Sequence, residues 1–368
     1  MPTINGTSEA DILVGTNEAD LINGLGGNDT ITGGAGIDTI NGDEGDDSLN
    51  GEAGDDVVRG GDGNDSITST SGADQLYGDA GDDSFTVVTD TSATRILIDG
   101  GIGNDRILTN PFGGFGQGLD VLAGAGADYA WIGRGVNNSI DLGADNDRIT
   151  LTNNTSGLTT VTLGSGSDEV ELGLYRLFPN TNSDIYDMGG VTTLTDYQPG
   201  VDFLSSDFNH LTFIGWTGAN NPFAEGFLRL IQVGSQAVLQ WDRNGGGNSW
   251  VDLVRFDNVL ASSLTAADLF GYDPNGAAPV GVTVNGTEGN DWVTGEDRMR
   301  PVGGLFGSNG PDTINGLGGD DMIWGWAGND VIYGGAGADV IDSGMGNDVV
   351  HGGEGNDRLN DWGGSDEL

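Results

Sequence analysis

The sequence has no cysteine and no lysine, and only two of its 368 residues are histidine. Without cysteine the chain has no disulfides, no thiolate zinc sites and no thiol nucleophile. Long apolar runs are also absent, so we expect no membrane-spanning segment. The first residues, MPTINGTSEADILVG, have neither the basic region nor the apolar region of a secretory signal peptide.

Acidic residues dominate the charge. Asp and Glu together number 57, against 12 arginines, which gives a net charge of −45. Such a charge repels nucleic acids and anionic membranes and attracts multivalent cations. Glycine supplies 69 residues, far more than the usual share of ~7%. The 9 prolines and the lack of a three-residue glycine period exclude collagen, so the glycines need another explanation.

A nine-residue repeat provides that explanation. Aspartates recur every nine residues in two separate blocks, and two residues after each one stands a large apolar residue, such as Ile22 or Ile314. Glycine stands two residues before most of them. The first block contains Asp11, Asp20, Asp29, Asp38, Asp47, Asp56, Asp65, Asp74 and Asp83; the second contains Asp312, Asp321, Asp330, Asp339, Asp348 and Asp357.

The segments GGAGIDTIN (33–41), GGDGNDSIT (60–68), GGAGADVID (334–342) and GGEGNDRLN (352–360) share the pattern G-G-x-G-x-D-x-U-x, where U is a large apolar residue. This pattern resembles the RTX (hemolysin-type) calcium-binding repeat proteins. The resemblance implies an all-β chain with two right-handed parallel β-rolls. In these, each glycine-rich half-repeat is a turn, each x-U-x is a short strand, and two nonapeptides complete one coil.

Physical chemistry leads independently to a calcium requirement. If one coil has 18 residues, aspartates 18 apart stack about 4.8 Å from each other along two edges of the roll. Bare carboxylates about 5 Å apart repel by roughly 3 kcal/mol at an effective dielectric constant near 20. A calcium ion between the carboxylates replaces this repulsion with attraction, because calcium accepts six to eight oxygen ligands in a flexible geometry. The chain should therefore be unfolded without calcium and folded with several ions. The alternative is a metal-free solenoid with a solvated acidic face.

The predicted calcium ligands are the repeat aspartates and turn glycines that act through their carbonyls. Beyond the fifteen aspartates named above, they are Asp105, Asp128, Asp147, Asp168 and Asp291. The glycines are Gly27, Gly36, Gly45, Gly54, Gly63, Gly328, Gly337, Gly346 and Gly355.

Between the blocks the aspartate motifs lie about 20 residues apart, with one motif per coil instead of two. This spacing predicts a wider β-solenoid with calcium on one edge. The predicted organisation has five parts. They are an RTX β-roll at 1–90, the wider solenoid at 91–183, a β-rich domain at 184–272, a linker at 273–284 and a second RTX β-roll at 285–368. The β-rich domain resembles the type I secretion target domain.

Candidate chemistry outside the repeats is sparse. His210 is interpreted as a packed residue and His351 as a surface residue, and the sequence has no H-E-x-x-H or G-x-S-x-G motif. Asp242 and Asn244, in a glycine-rich hairpin loop, are either a further calcium site or a solvated turn. Two interpretations are open for Trp324, Trp326 and Tyr333: an exposed contact surface, or rings that only cover adjacent turns. We therefore predict that the protein is not an enzyme.

Neither terminus shows the polar cap that solenoids usually need. We therefore expect rolls of one period to stack head to tail, and such a heterologous contact yields a filament. The predicted function is a non-catalytic, secreted, calcium-binding structural protein that assembles into an extracellular filament, sheath or surface layer. Two alternatives stay open: the repeat and export portion of a secreted hydrolase or adhesin, and a calcium sponge that does not self-associate.

Overall fold

The computed structural model describes residues 1–88, 95–109, 118–133, 137–152, 157–173, 190–205, 216, 218, 220–242, 244–247, 249–291, 304–361 and 363–368. In these residues the regular structure is almost entirely β-strand, and the only helical segment is one 3-10 turn at Ala261–Ser263. No helix in this part of the chain is long and apolar enough to cross a membrane. The all-β prediction is confirmed.

Odd-numbered and even-numbered strands of the first repeat block enter two different sheets. The first sheet has the order β1 (Thr3–Asn5), β3 (Leu21–Gly26), β5 (Thr39–Glu44), β7 (Val57–Asp62), β9 (Gln75–Ala80), β11 (Ile96–Ile102), β13 (Leu119–Ala125), β15 (Ser139–Ala144), β17 (Gly157–Thr162), β19 (Gly190–Leu194), β23 (Val251–Phe256), β22 (Gln236–Trp241) and β21 (Leu228–Val233). The second has the order β2 (Ile12–Val14), β4 (Thr30–Ala35), β6 (Ser48–Ala53), β8 (Ser66–Ser69), β10 (Ser84–Val87), β12 (Arg106–Thr109), β14 (Tyr129–Ile132), β16 (Arg148–Thr152), β18 (Glu169–Gly173) and β20 (Phe203–Ser205).

The second repeat block forms two four-stranded sheets of the same kind. One contains β24 (Thr283–Asn285), β26 (Thr313–Gly318), β28 (Val331–Ala336) and β30 (Val349–Glu354). The other contains β25 (Leu305–Phe306), β27 (Met322–Trp324), β29 (Val340–Asp342) and β31 (Arg358–Asn360). Neighbouring strands in both sheets are parallel. Both repeat blocks are therefore parallel β-rolls, as predicted.

Strand register gives the length of each coil. In the first block Thr3 pairs with Leu21, an offset of 18 residues. After residue 90 both sheets continue with longer coils: Leu97 pairs with Gln75, an offset of 22, and Ile96 pairs with Leu119, an offset of 23. The domain boundaries proposed from the sequence stay predictions. By its internal contacts the chain divides into two compact units, one of Met1–Ser206, Gln232–Val238 and Asp252–Ser263, the other of Asp207–Ile231, Leu239–Val251 and Leu264–Leu368.

The apolar residue of each repeat points into the roll. Ile40 is fully buried and lies between Ile22 and Val58 of the adjacent coils, while the neighbouring turn residue Ile37 is 61% exposed. Within β5 burial alternates from residue to residue, with Ile40 and Gly42 inside and Thr39 and Asn41 partly exposed, because the two-residue period of a strand turns every second side chain inward. In the second roll the same columns form a core of Leu305, Ile314, Ile323, Ile332, Ile341 and Val350.

The turns depend on glycine because successive coils nearly touch there. Gly54 has φ +147°, and a Cβ on it would lie 1.4 Å from the carbonyl oxygen of Gly36 in the preceding coil. No L-residue side chain fits at this distance, so the glycine is required both for the backbone angle and for the close approach.

Replacing Ile40 with alanine should lower the free energy of unfolding of the calcium-loaded protein by about 3 kcal/mol, because it leaves a cavity in a closely packed column. Ile37→Ala, which removes the same atoms from an exposed turn, should change it by less than about 0.5 kcal/mol. Urea unfolding in saturating calcium measures both values. Equal effects would mean that the column of apolar residues is not the core of the roll.

Candidate metal sites along the coil edges

The repeat aspartates stack into four rows, which we call edges one to four. Edge one contains Asp11, Asp29, Asp47, Asp65, Asp83, Asp105, Asp128, Asp147 and Asp168; edge two contains Asp20, Asp38, Asp56 and Asp74; edge three contains Asp291, Asp321, Asp339 and Asp357; edge four contains Asp312, Asp330 and Asp348. The first two edges belong to one compact unit and the last two to the other. The structure thus brings together every aspartate that the sequence analysis singled out in the repeats.

One hydrogen bond recurs along every edge. The backbone N–H of each aspartate donates to Oδ1 of the aspartate in the next coil, as in Asp29 to Asp47 at 2.7 Å and Asp38 to Asp56 at 2.8 Å. This bond fixes the carboxylate in the gap between two coils. Because it engages only one oxygen, the second oxygen of the carboxylate is left for another partner.

In most repeats that second oxygen is buried and receives no hydrogen bond from the described chain. The aspartates with such an Oδ2 are Asp29, Asp38, Asp47, Asp56, Asp65, Asp83, Asp105, Asp128, Asp147, Asp168, Asp321, Asp330, Asp339 and Asp348. All of them are at most 3% exposed. Buried carboxylate oxygens without donors are costly and rare in folded proteins, so they require a bound cation or a proton.

At ten of these aspartates the Oδ2 lies against a glycine five residues earlier, where any side chain would clash with it. A Cβ on Gly42 would lie 2.1 Å from Oδ2 of Asp47 and 2.5 Å from the carbonyl oxygen of Gly60 in the next coil. Carboxylate and carbonyl oxygens therefore converge beside Gly42. This set of hard oxygen donors is the kind that calcium prefers.

The turn glycines predicted as carbonyl ligands all have left-handed backbone angles, with φ between +93° at Gly27 and +150° at Gly337. The carbonyl oxygen of Gly36 faces Gly54 of the next coil, where a Cβ would lie 3.1 Å from Oδ1 of Asp56. These carbonyls thus lie at the same edges as the aspartates. Their role as ligands stays a prediction.

Burial raises the pKa of many edge aspartates, Asp47, Asp56 and Asp147 among them, and neighbouring carboxylates raise it further. The pKa of Asp47 and Asp65 is about 6, that of Asp56 and Asp83 about 7, and that of Asp147 about 8. The backbone hydrogen bond lowers these pKa values but does not compensate for the lost solvation. Three described arginines form ion pairs away from the edges, so they do not neutralise the edge carboxylates. The pairs are Arg59–Asp79, Arg95–Asp120 and Arg255–Asp252.

The first aspartate of each edge has a different environment. Thr7 donates to Oδ2 of Asp11 through its backbone N–H at 2.6 Å and its hydroxyl at 2.8 Å, and Thr16 does the same for Asp20. The corresponding backbone donors in the second block are Thr287 to Asp291 at 2.7 Å and Ser308 to Asp312 at 2.5 Å. The sequence signal is a Gly-Thr or Gly-Ser pair four to five residues before the aspartate, and the sequence analysis missed it.

Ser69 provides another local donor. Its hydroxyl donates to Oδ2 of Asp74 at 2.5 Å, at the position where most repeats have glycine. In Asp74 and in the first aspartate of each edge, Oδ2 therefore accepts a hydrogen bond from the chain. In most other repeats the same oxygen has no donor in the described chain. Beyond Asp74, edge two loses its aspartates, because Ile96 and Leu119 take the equivalent places in the next coils.

Three further polar residues extend the edges. Asp202 accepts the N–H of Asp168 at 3.3 Å, Asp366 accepts that of Asp348 at 2.9 Å, and Asn138 accepts that of Leu119 at 3.0 Å. The sequence analysis missed all three. Asp366 was detectable, since it follows Asp357 by nine residues and precedes Leu368 by two; Asp202 has Leu204 two residues after it but lies 34 residues from Asp168.

The other candidates have structural contacts. The Asp242 carboxylate accepts the backbone N–H of Asn244 at 3.4 Å and of Ser249 at 3.2 Å, so it organises the loop between β22 and β23 from a buried position. Trp324 stacks on Phe306 at 5.1 Å between ring centroids, and exposed His351 stacks on Tyr333 at 5.0 Å. These rings cover the adjacent coil. Trp326 has φ +72° in a turn, and His210 lies outside the described residues.

Without calcium, the protein should lose stability as pH rises. An aspartate with a pKa near 3.8 in the unfolded chain and about 6 to 8 in the fold binds more protons when folded, so its stabilising contribution is present at low pH and disappears as pH rises through about 6 to 8. Circular dichroism of metal-stripped protein should show more β-structure at pH about 5 than at pH about 8. Saturating calcium should abolish this dependence, and the opposite trend in metal-stripped protein would contradict the assigned burial.

The comparison with known families agrees with this geometry. Residues 5–40, 32–67, 59–86, 283–297, 306–341 and 342–368 match the family model of the RTX calcium-binding nonapeptide repeat, which describes four copies of the repeat. The chain gives no significant match to a curated protein. The matched segments lie in the two repeat blocks, and these two blocks therefore belong to the family of RTX calcium-binding nonapeptide repeats.

Proposed function

We propose that this protein is a secreted, non-catalytic structural protein that becomes folded when calcium ions occupy the gaps between its coils. The observation that carries the proposal is the series of buried Oδ2 atoms without a donor, which recurs at fourteen aspartates in both compact units. At neutral pH a molecule with a net charge of −45 cannot keep these stacked groups ionised and desolvated without cations.

The ligands in this proposal are the predicted aspartates and the carbonyls of the glycine turns. Each ion lies between two successive coils of one edge, so several ions bind per chain. The first aspartates of the edges and Asp74 contribute less, because a threonine or serine already donates to their second oxygen. Calcium neutralises the carboxylates and joins one coil to the next. The apolar columns then pack in a single register.

Such a chain suits export in an unfolded state. Extracellular calcium modules typically bind at about 10⁻⁴–10⁻³ M, far above the free calcium concentration inside cells. The chain therefore stays unfolded before export and folds outside, which fits the export that is typical of RTX repeat proteins. We propose an extracellular location on this basis, with the type I system as the route.

We further propose that calcium-loaded molecules associate end to end. The terminal strands β1 and β2 have a partner on one side only, and β2 exposes Ile12 (81%) and Val14 (63%). At the other end of the chain, β31 is the terminal strand of its sheet, while β30 has only the short bridge from Val349 to Glu367 beyond it. Open parallel edges with the same coil period are templates for pairing with another copy, and a repeated heterologous contact gives a filament.

Calcium removal should abolish most of the β-structure at neutral pH. Asp65→Asn keeps the Oδ1 that accepts the N–H of Asp47 but removes one buried charge. It should raise the calcium concentration needed for half-maximal folding several-fold and lower the number of bound ions. The matched control Asp62→Asn removes an exposed charge from the same coil and should behave like the wild type.

Circular dichroism during a calcium titration, with ions counted by mass spectrometry after dialysis, measures both effects. Full β-structure in excess chelator at neutral pH would overturn calcium-dependent folding. Equal effects of the two variants would show that general charge, rather than the edge position, controls binding.

End-to-end association should require calcium and the β2 edge. Ile12→Lys places a charge on the open strand and should abolish filaments without reducing β-structure. Ile102→Lys is the matched control, because Ile102 is 68% exposed but belongs to the interior strand β11. Electron microscopy and light scattering of the calcium-loaded proteins provide the readout. Monodisperse wild-type particles with and without calcium would contradict assembly and favour a calcium sponge.

A further inference from the structure

In the last coil of the second roll, an aspartate stands at a position that is glycine or serine in the preceding coils. The pairs Ala327–Met345 and Met345–Gly363 place residue 361 in the column of Ser343 and Gly325. A Cβ on Gly325 would lie 2.7 Å from Oδ2 of Asp330. This column therefore borders the aspartate that follows five residues later, and in the last coil it contains Asp361.

Asp361 brings a third carboxylate to edge four. Single carboxylate oxygens of Asp348, Asp361 and Asp366 all lie within 4.8 Å of one another, and they are the one such group of three in the part of the chain that the structure describes. Asp366 accepts the N–H of Asp348 at 2.9 Å in the manner of the other edge aspartates. Asp361 accepts the N–H of Gly363 at 3.1 Å and is exposed to solvent.

A second observation identifies this group as a binding site. Asp348 is only 1% exposed, and its Oδ1 accepts the N–H of Asp330 at 2.9 Å. Its Oδ2 is buried and receives no hydrogen bond of good geometry in the described chain. Burial raises the pKa of this carboxyl, and a side-chain contact with Ser343 offsets that only in part. One wall of the group is thus a buried carboxylate oxygen without a well-aligned donor, while exposed Asp361 leaves a path for an ion from solvent.

We propose that Asp348, Asp361 and Asp366 form a calcium site that is tighter than the gaps between the other coils. The proposal rests on the proposed function, because Asp348 and Asp366 also belong to the edge. The other gaps have edge carboxylates and carbonyls, whereas this gap adds a carboxylate from outside the row. Affinity of calcium sites rises with the number of charged ligands, so this gap fills first as calcium increases and holds the last coil in place.

The experiment compares the full-length wild type with Asp361→Asn and with Glu367→Gln. Glu367 is exposed, lies in the same coil and is absent from the group of three, so Glu367→Gln removes the same charge without removing a ligand. The three proteins are dialysed against buffers of stepwise increasing free calcium. Bound ions per chain are counted by mass spectrometry, and circular dichroism in saturating calcium verifies folding.

The expected result is that wild type and Glu367→Gln retain one ion per chain at calcium concentrations where Asp361→Asn retains none, a loss of affinity on the order of tenfold or more. Asp361→Glu, which keeps the charge, should restore most of the binding. If the Asp361→Asn curve coincides with the wild-type curve while both bind calcium elsewhere, this inference is wrong and the proposed function stands. If no variant binds calcium, the proposed function fails as well.

Discussion

The structure depends on the repulsion between aspartates that stack from coil to coil. Parallel strands hold residues of successive coils about 4.8 Å apart, and the nine-residue period brings a carboxylate to the same point each time. The backbone bond to Oδ1, as between Asp29 and Asp47, orients each group but leaves Oδ2 buried and without a donor. The fold therefore contains its own requirement for protons or cations, and the raised pKa values of Asp56 and Asp147 express the same conflict.

The periodic part of this architecture could be predicted from the sequence. A period of nine with a single apolar residue at a fixed offset leaves one arrangement in which Ile22, Ile40 and Val58 share a column, and the structure has it. The aspartate edges follow from the same arithmetic. The spacing of about 20 residues after Asp83 likewise indicated longer coils, which β11 to β18 form with one edge of aspartates.

Other parts of the site could not be predicted, because they depend on contacts rather than on period. The donation from Thr16 to Asp20 is a local turn that replaces the glycine turn, and its role appears only when the direction of the carboxylate is known. Asp202 joins edge one after an interval of 34 residues, so no regular spacing indicates it. Asp361 breaks the repeat, and only the strand register shows that it lies beside the row.

The difference between edges one and two constrains how this chain can change length. In the first block both edges have aspartates. Insertion or deletion of nine residues, half a coil, therefore moves each aspartate to the other edge, where it still stacks on the aspartate of the next coil. Beyond Asp74 only edge one continues, since Ile96 and Leu119 occupy the other side. A half-coil insertion there would place carboxylates against apolar side chains. The first block can therefore gain or lose half-coils, whereas the longer coils can be duplicated or deleted only as complete turns.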